Sequence, residues 1–149
     1  MGLLSGKKGL IMGVANERSI AWGIAKACSS HGAKLAFTYQ GDALKKRIIP
    51  LAETVGSNLT FQCDVADQGA VKETFAKIKD ELNDIDFLVH AIGFSDKNEL
   101  RGRYVDTSKQ NFLSTMDISV YSFTAVTQEA EKIMPQGGSI ITLTYYGSE

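Results

Sequence analysis

The chain has 149 residues, 44% of them hydrophobic and 22% charged, with a formal net charge of −1. This suits one soluble domain with a real core, and the charge balance gives no reason to expect nucleic acid or an anionic membrane as partner. No apolar stretch approaches a membrane span, the start MGLLSGKKG lacks the apolar segment of a signal peptide, and Cys28 and Cys63 have no metal-ligand spacing, so no metal site is expected and buried free thiols in a reducing, cytoplasmic compartment are.

The organising stretch runs from Lys8 to Gly23. Leu10, Ile11 and Met12 form a short apolar run suited to a strand buried on both faces. Gly13, Ala15 and Ser19 follow, and Ile20, Ile24, Ala27 and Cys28 then share one helical face. Strand, small-residue turn and helix start form an anion site: the free N–H groups of the first helical turn can hold a pyrophosphate. Gly13 permits the turn, and Ser19 can cap the helix or bind phosphate. The spacing departs from a strict G-x-G-x-x-G, and an ordinary strand–helix connection with a capping serine fits the same residues.

His31-Gly32 reads as the stop of that helix. Lys34 to Tyr39 is the second strand, and Gln40-Gly41-Asp42 a turn. Leu44, Ile48, Leu51, Ala52 and Val55 mark a helix that Gly56 ends and Pro50 would kink. Asn58 to Cys63 reads as a third strand. Asp67 to Leu82 is the clearest amphipathic helix, with Val71, Phe75, Ile78 and Leu82 on its inner face, each burial worth about 1.5–3 kcal/mol before entropy. Ile85 to Ile92 is a fourth strand, closed by Gly93, and Phe94 to Asp106 is polar and irregular. Phe112, Met116, Ser119, Phe123, Val126, Ala130 and Ile133 form one helical stripe up to Pro135, with Met116 and the Phe112/Phe123 pair expected in the core. Gly138 to Tyr145 is a fifth strand. Five strands alternating with four helices predict an α/β fold, a Rossmann-like doubly wound parallel sheet. Ligands in such sheets bind beyond the carboxyl ends of the strands.

The strand ends therefore carry the candidate chemistry. Gln40 stands where a dinucleotide's adenosine ribose is read. It is neither acidic nor cationic, and Lys45, Lys46 and Arg47 fall on a solvated helix face, which favours NAD over NADP. Asp64 and Val65 can pair an adenine amine and ring nitrogen through a carboxylate and an N–H; Asp64 as a cap for the helix near Asp67 fits equally well. His90, inside an apolar strand, reads as a satisfied core histidine rather than a base. Tyr145 and Tyr146 end the fifth strand on opposite faces. A phenol there can donate to a substrate carbonyl as negative charge develops, or simply rest in water.

Residues 2–27 (GLLSGKKGLIMGVANERSIAWGIAKA), with LAFTYQ, FQCDVAD, VHAIGF, DISVYSF and ITLTYYGSE in order, resemble the bacterial enoyl-(acyl-carrier-protein) reductases, the type I NADH-dependent branch of the short-chain dehydrogenase/reductases. The resemblance implies reduction of the trans-2 double bond of an enoyl thioester on acyl carrier protein, in fatty-acid elongation. It further implies a cytoplasmic homotetramer when the protein is full length. It assigns Gly13, Ser19 and Ile20 to the pyrophosphate, Gln40 to the adenosine side, and Asp64 and Val65 to the adenine. Ile92 and Gly93 would line the cofactor, Ser95 would lie by the substrate, and Tyr145 would be the catalytic tyrosine next to it. Tyr146 receives no role. The family's further Tyr-x6-Lys pattern has no counterpart here. The expectation is thus a dinucleotide-binding domain over residues 1–149, incomplete at its C-terminal end, that would not turn over substrate alone. A short-chain carbonyl or alcohol dehydrogenase is disfavoured, because His90-Ala91-Ile92-Gly93 stands where those enzymes carry Asn-Ala-Gly. A non-catalytic nucleotide-binding module is the remaining alternative.

Overall fold

Leu10, Ile11 and Met12 are fully buried, and strand alternation sends them to opposite sides of a sheet. Leu10 and Met12 join one apolar cluster and Ile11 the other. The computed structural model, which describes residues 2–148, builds both clusters on five strands: β1 (Lys8–Met12), β2 (Lys34–Tyr39), β3 (Thr60–Gln62), β4 (Phe87–His90) and β5 (Ser139–Thr142). The order is β3-β2-β1-β4-β5 and every pairing is parallel. The chain winds outward from β1 to β3, then returns to β1's other flank at β4. That reversal opens a crevice at the carboxyl ends of β1 and β4.

Helices α1 (Ile20–Ser30) and α2 (Asp42–Thr54) cover one face, where Trp22, Ala25, Ile48 and Ala52 meet Ile11, Phe37 and Val89. Helix α3 (Gln68–Leu82) lies on the other, burying Val71, Phe75, Ile78 and Leu82 against Leu10, Ala36 and Leu88. Asp67 caps α3, its Oδ1 accepting from the Gly69 and Ala70 N–H groups at 2.8 and 3.2 Å. Helix α2 runs through Pro50 to Thr54. At the foot of the sheet the Asp86 carboxylate accepts from Lys7 Nζ and the Lys8 N–H, both at 2.8 Å, tying β4 to β1. The Lys7 hydrogen bond foremost holds that carboxyl below its ordinary value.

Three expectations change. Strands β3, β4 and β5 are shorter than their apolar runs, because a strand lasts only as far as its hydrogen-bonded neighbour. β5 pairs only with β4, and their register closes at His90 opposite Thr142. Among the described residues Leu143 to Tyr145 therefore have no partner strand, and Tyr145 is not a strand-end residue. The long helical stripe is three pieces: α4 (Lys109–Met116), a π-helical turn (Asp117–Tyr121) and α5 (Ser122–Ala130), followed by a 3-10 turn at Glu131–Ile133. Ser122, Ala125, Val126 and Ala130 are buried in α5, but Phe112 and Met116 are 46% and 42% exposed. The inner side of α4 is instead polar: Asn111 and Thr115 bond to the segment leaving β4. Backbone leaving a sheet needs partners, and side chains that supply them displace apolar ones. Finally, Cys63 is buried as expected, whereas Cys28 is only half-buried.

The one fully buried ring with two polar atoms, His90, is satisfied on both sides: Nδ1 lies 2.9 Å from Thr142 Oγ1 and Nε2 2.7 Å from Ser122 Oγ. Burial pushes its imidazole below the ordinary value of 6.5.

Two outcomes follow from this architecture. Well above pH 6.5 the His90 ring is neutral in folded and unfolded chains alike; as pH falls through 6.5 the unfolded chain takes up a proton that the folded chain refuses, and stability is lost. Urea midpoints should therefore fall between about pH 7.5 and about pH 5.5, with a shallower slope in His90→Gln; equal slopes would contradict this. Gly13 has φ +102°, and an added Cβ would run into the Ala91 carbonyl. Gly13→Ala should cost about 2 kcal/mol or more in the same unfolding assay, and a midpoint equal to wild type would refute the close approach.

Candidate functional site: a cleft at the strand tips

The tips of four strands enclose one cleft of about 250 Å³. Gly13, Val14 and Ala15 contribute from the exit of β1, and Thr38, Tyr39 and Gln40 from β2. Cys63, Asp64 and Val65 follow β3, and Ala91 to Phe94 follow β4. Leu44 of α2 and Ile118 of the π-turn close the sides. Six of the residues singled out in the sequence thus meet here: Gly13, Gln40, Asp64, Val65, Ile92 and Gly93.

At the centre, the β1 exit turns without a side chain at Gly13, and the segment up to α1 is held by Ser19. Its Oγ accepts from the Ala15 and Asn16 N–H groups at 3.0 and 3.1 Å. Ser19 stands at the N-cap of α1 yet makes no side-chain bond to the helix, so it fastens the turn rather than capping. Its hydroxyl proton stays available as a donor. The Ile20 and Ala21 N–H groups have no acceptor among the described residues, and the small-residue turn leaves open the approach that an anionic diphosphate needs. The Ile20 side chain itself is 69% exposed and Ser19 and Ile20 do not line the cleft; any contact from Ile20 is through its backbone.

On the β2–β3 side, Gln40 Nε2 donates to Asp64 Oδ2 at 3.4 Å, and Asp64 Oδ1 accepts from the Ala66 N–H at 3.0 Å. Asp67, not Asp64, caps α3, which removes the alternative role for Asp64. The Val65 N–H has no protein partner among the described residues. A carboxylate acceptor beside a free N–H matches the edge of an aminopurine. Between them Cys63 is buried, which pushes its thiol pKa up and keeps it from thiolate chemistry. No group of three or more potential metal-ligating side chains occurs among the described residues.

On the β4 side, Ile92, Gly93 and Phe94 run past Ile118, and Ser119 Oγ both accepts from the Phe94 N–H and donates to its carbonyl, at 3.0 and 3.1 Å. Ser95 is engaged: it accepts from Thr115 Oγ1 at 3.0 Å and Asn111 Nδ2 at 3.1 Å. It sits behind the cleft wall rather than in it. Tyr145 is 86% exposed and outside the cleft. Phe94 and Cys63 were findable as neighbours of Gly93 and Asp64. Ile118 was not, since a 3.6-residue period cannot anticipate a π-turn.

Comparison with known proteins identifies the family and the fold. The family model described as Enoyl-(Acyl carrier protein) reductase matches residues 13–149. The enoyl-(acyl-carrier-protein) reductase (NADH) 1 of Rhizobium meliloti (strain 1021) is 60% identical over 99% of this chain, which covers 54% of that protein. Among solved structures, FabI from Candidatus Liberibacter asiaticus superposes with a TM-score of 0.97 at 53% identity, over 99% of this chain and 57% of its own. The enoyl-(acyl-carrier-protein) reductase from Anaplasma phagocytophilum, solved in complex with NAD, gives 0.96 at 55% identity, over 99% and 56%. The chain spans about half the length of the relatives it matches. Its sheet is the Rossmann-like sheet of those structures, and the chain belongs to the enoyl-(acyl-carrier-protein) reductase family.

Proposed function

We propose that this chain carries the dinucleotide site of an NADH-dependent enoyl-(acyl-carrier-protein) reductase of fatty-acid synthesis. The observation that carries the reading is the convergence of Gly13, Gln40, Asp64, Val65, Ile92 and Gly93 on one cleft, in a chain 60% identical to a reductase named for NADH. When bound, NADH would supply the hydride that reduces the β-carbon of an enoyl thioester. The chain's own residues bind and orient. The turn Gly13–Ser19 and the Ile20 and Ala21 N–H groups receive the diphosphate, Asp64 and Val65 hold the adenine, and Gln40 faces the ribose. Ile92 and Gly93 line the far end, with Ser95 supporting the wall beside the substrate. Tyr145 keeps its proposed role as a phenol donating to the thioester carbonyl, which requires contacts beyond those of its exposed position. The reading extends to a cytoplasmic homotetramer acting on enoyl-acyl carrier protein. The exposed apolar residues Phe112, Leu113, Met116 and Val120 support a self-associating face.

Trp22, the single tryptophan, is buried in the first turn of α1 against Phe37, and NADH absorbs where it emits. Titrating NADH should give saturable quenching, with NADPH about tenfold weaker, since no lysine or arginine lines the cleft among the described residues and the Asp64 carboxylate faces Gln40. Gln40→Arg should narrow or reverse that preference. A silent NADH titration defeats the proposal; equal affinities for the two nucleotides defeat the role of Gln40.

A further inference from the structure

His90 lines no part of the cleft, yet it is bound at both ring nitrogens, and those bonds reach the cleft wall. Ser122 Oγ has one proton, which it donates to the Ile118 carbonyl at 2.6 Å. It must therefore accept from His90 Nε2, 2.7 Å away. That places the ring proton on Nε2 and leaves Nδ1 to accept from the Thr142 hydroxyl at 2.9 Å. The chain Thr142–His90–Ser122–Ile118 thus joins β5, β4 and the π-turn. A second tie lies four residues on, where Ser119 Oγ holds both backbone groups of Phe94. Between the ties run Ala91, Ile92 and Gly93, and facing them is Ile118; all four line the cleft.

A hydroxyl bonding back to the carbonyl four residues earlier bends a helix, and π-turns recur at functional sites. Here the bend falls where the helix passes the cleft, so the Ser122–Ile118 bond and the His90 bond that orients it set where Ile118 points. The adenine side lies at β3 and the diphosphate turn at β1. The β4 wall is therefore left to the nicotinamide half of the cofactor.

We propose that His90 is a positioning residue: as its Nε2–H tautomer it fastens the π-turn to the exit of β4, so that Ile92, Gly93 and Ile118 present a fixed wall to the nicotinamide half of the dinucleotide. This rests on the cofactor reading above.

The test compares dissociation constants for NADH and for AMP, which occupies the adenine side alone, in the wild-type chain and in His90→Asn, His90→Gln and Ser122→Ala. His90→Asn can reach only Thr142, and Ser122→Ala removes the acceptor; both should weaken NADH by about tenfold while AMP stays within about twofold. His90→Gln can still present an N–H to Ser122 and should recover most of the NADH affinity. If the His90 variants do not fold, Ser122→Ala carries the comparison, and 15N chemical shifts of wild-type His90 must show the Nε2–H tautomer. Equal loss for both ligands, no loss for either, wild-type NADH binding no tighter than AMP, or an Nδ1–H tautomer each overturns the proposal. A wild-type chain that binds neither ligand overturns the cofactor reading first, and this inference with it.

Discussion

The approach of the β1 exit to the β4 exit is the constraint from which the remaining geometry follows. The Ala91 N–H donates to the Met12 carbonyl at 3.0 Å, one step beyond the last paired residues of the two strands. The next residue of β1 is Gly13, with φ +102° and no room for a Cβ beside the Ala91 carbonyl. Parallel pairing brings two strand ends to one level, and the missing side chain lets the chain turn there. The turn aims α1 at the crest of the sheet with its first N–H groups open. If β1 and β4 were not neighbours, the reversal of strand order that makes the crevice would not exist.

How much of this was legible in the sequence depends on what kind of force decides each element. Where burial decides, the reading was good: the apolar run of β1, the inner face of α3 and the bounds of β2 all follow from periodicity. Where a partner decides, it failed. The ends of β3, β4 and β5 depend on the neighbouring strand, and Tyr145 was misplaced because nothing local says where β4 stops. The turn at Ser19 was half-read: its hydroxyl was assigned to a helix cap or a ligand, and it closes the Ala15–Asn16 turn. Of the proposed site residues, six share the cleft. Ser19, Ile20, Ser95 and Tyr145 do not line it: Ser19 closes the Ala15–Asn16 turn, the Ile20 side chain is exposed at the start of α1, and Ser95 and Tyr145 lie outside the wall.

The segment from Lys109 to Ile133 shows a helix divided between two tasks. Its second half buries Ala125, Val126 and Ala130 in the way an amphipathic helix does. Its first half turns Asn111, Thr115 and Ser119 toward the strand exit, and Glu99 adds a further tie by accepting from the Ser108 N–H and hydroxyl at 2.9 and 2.7 Å. Polar side chains hold an irregular segment because its backbone groups cannot be left unpaired. Ile118 still packs inward, but Phe112, Leu113, Met116 and Val120 are displaced to the outside, where hydrophobicity alone would not have put them.

The brevity of β5 has a practical side. Among the described residues only one of its edges is hydrogen-bonded, and the sequence Ser139-Ile140-Ile141-Thr142 presents neither charge nor proline along the other, with Ile141 51% exposed. Proteins usually protect such a rim against cross-molecular strand addition. An open rim of this kind is where a further strand can add, and the four residues of β5 limit how many backbone bonds such an addition could make.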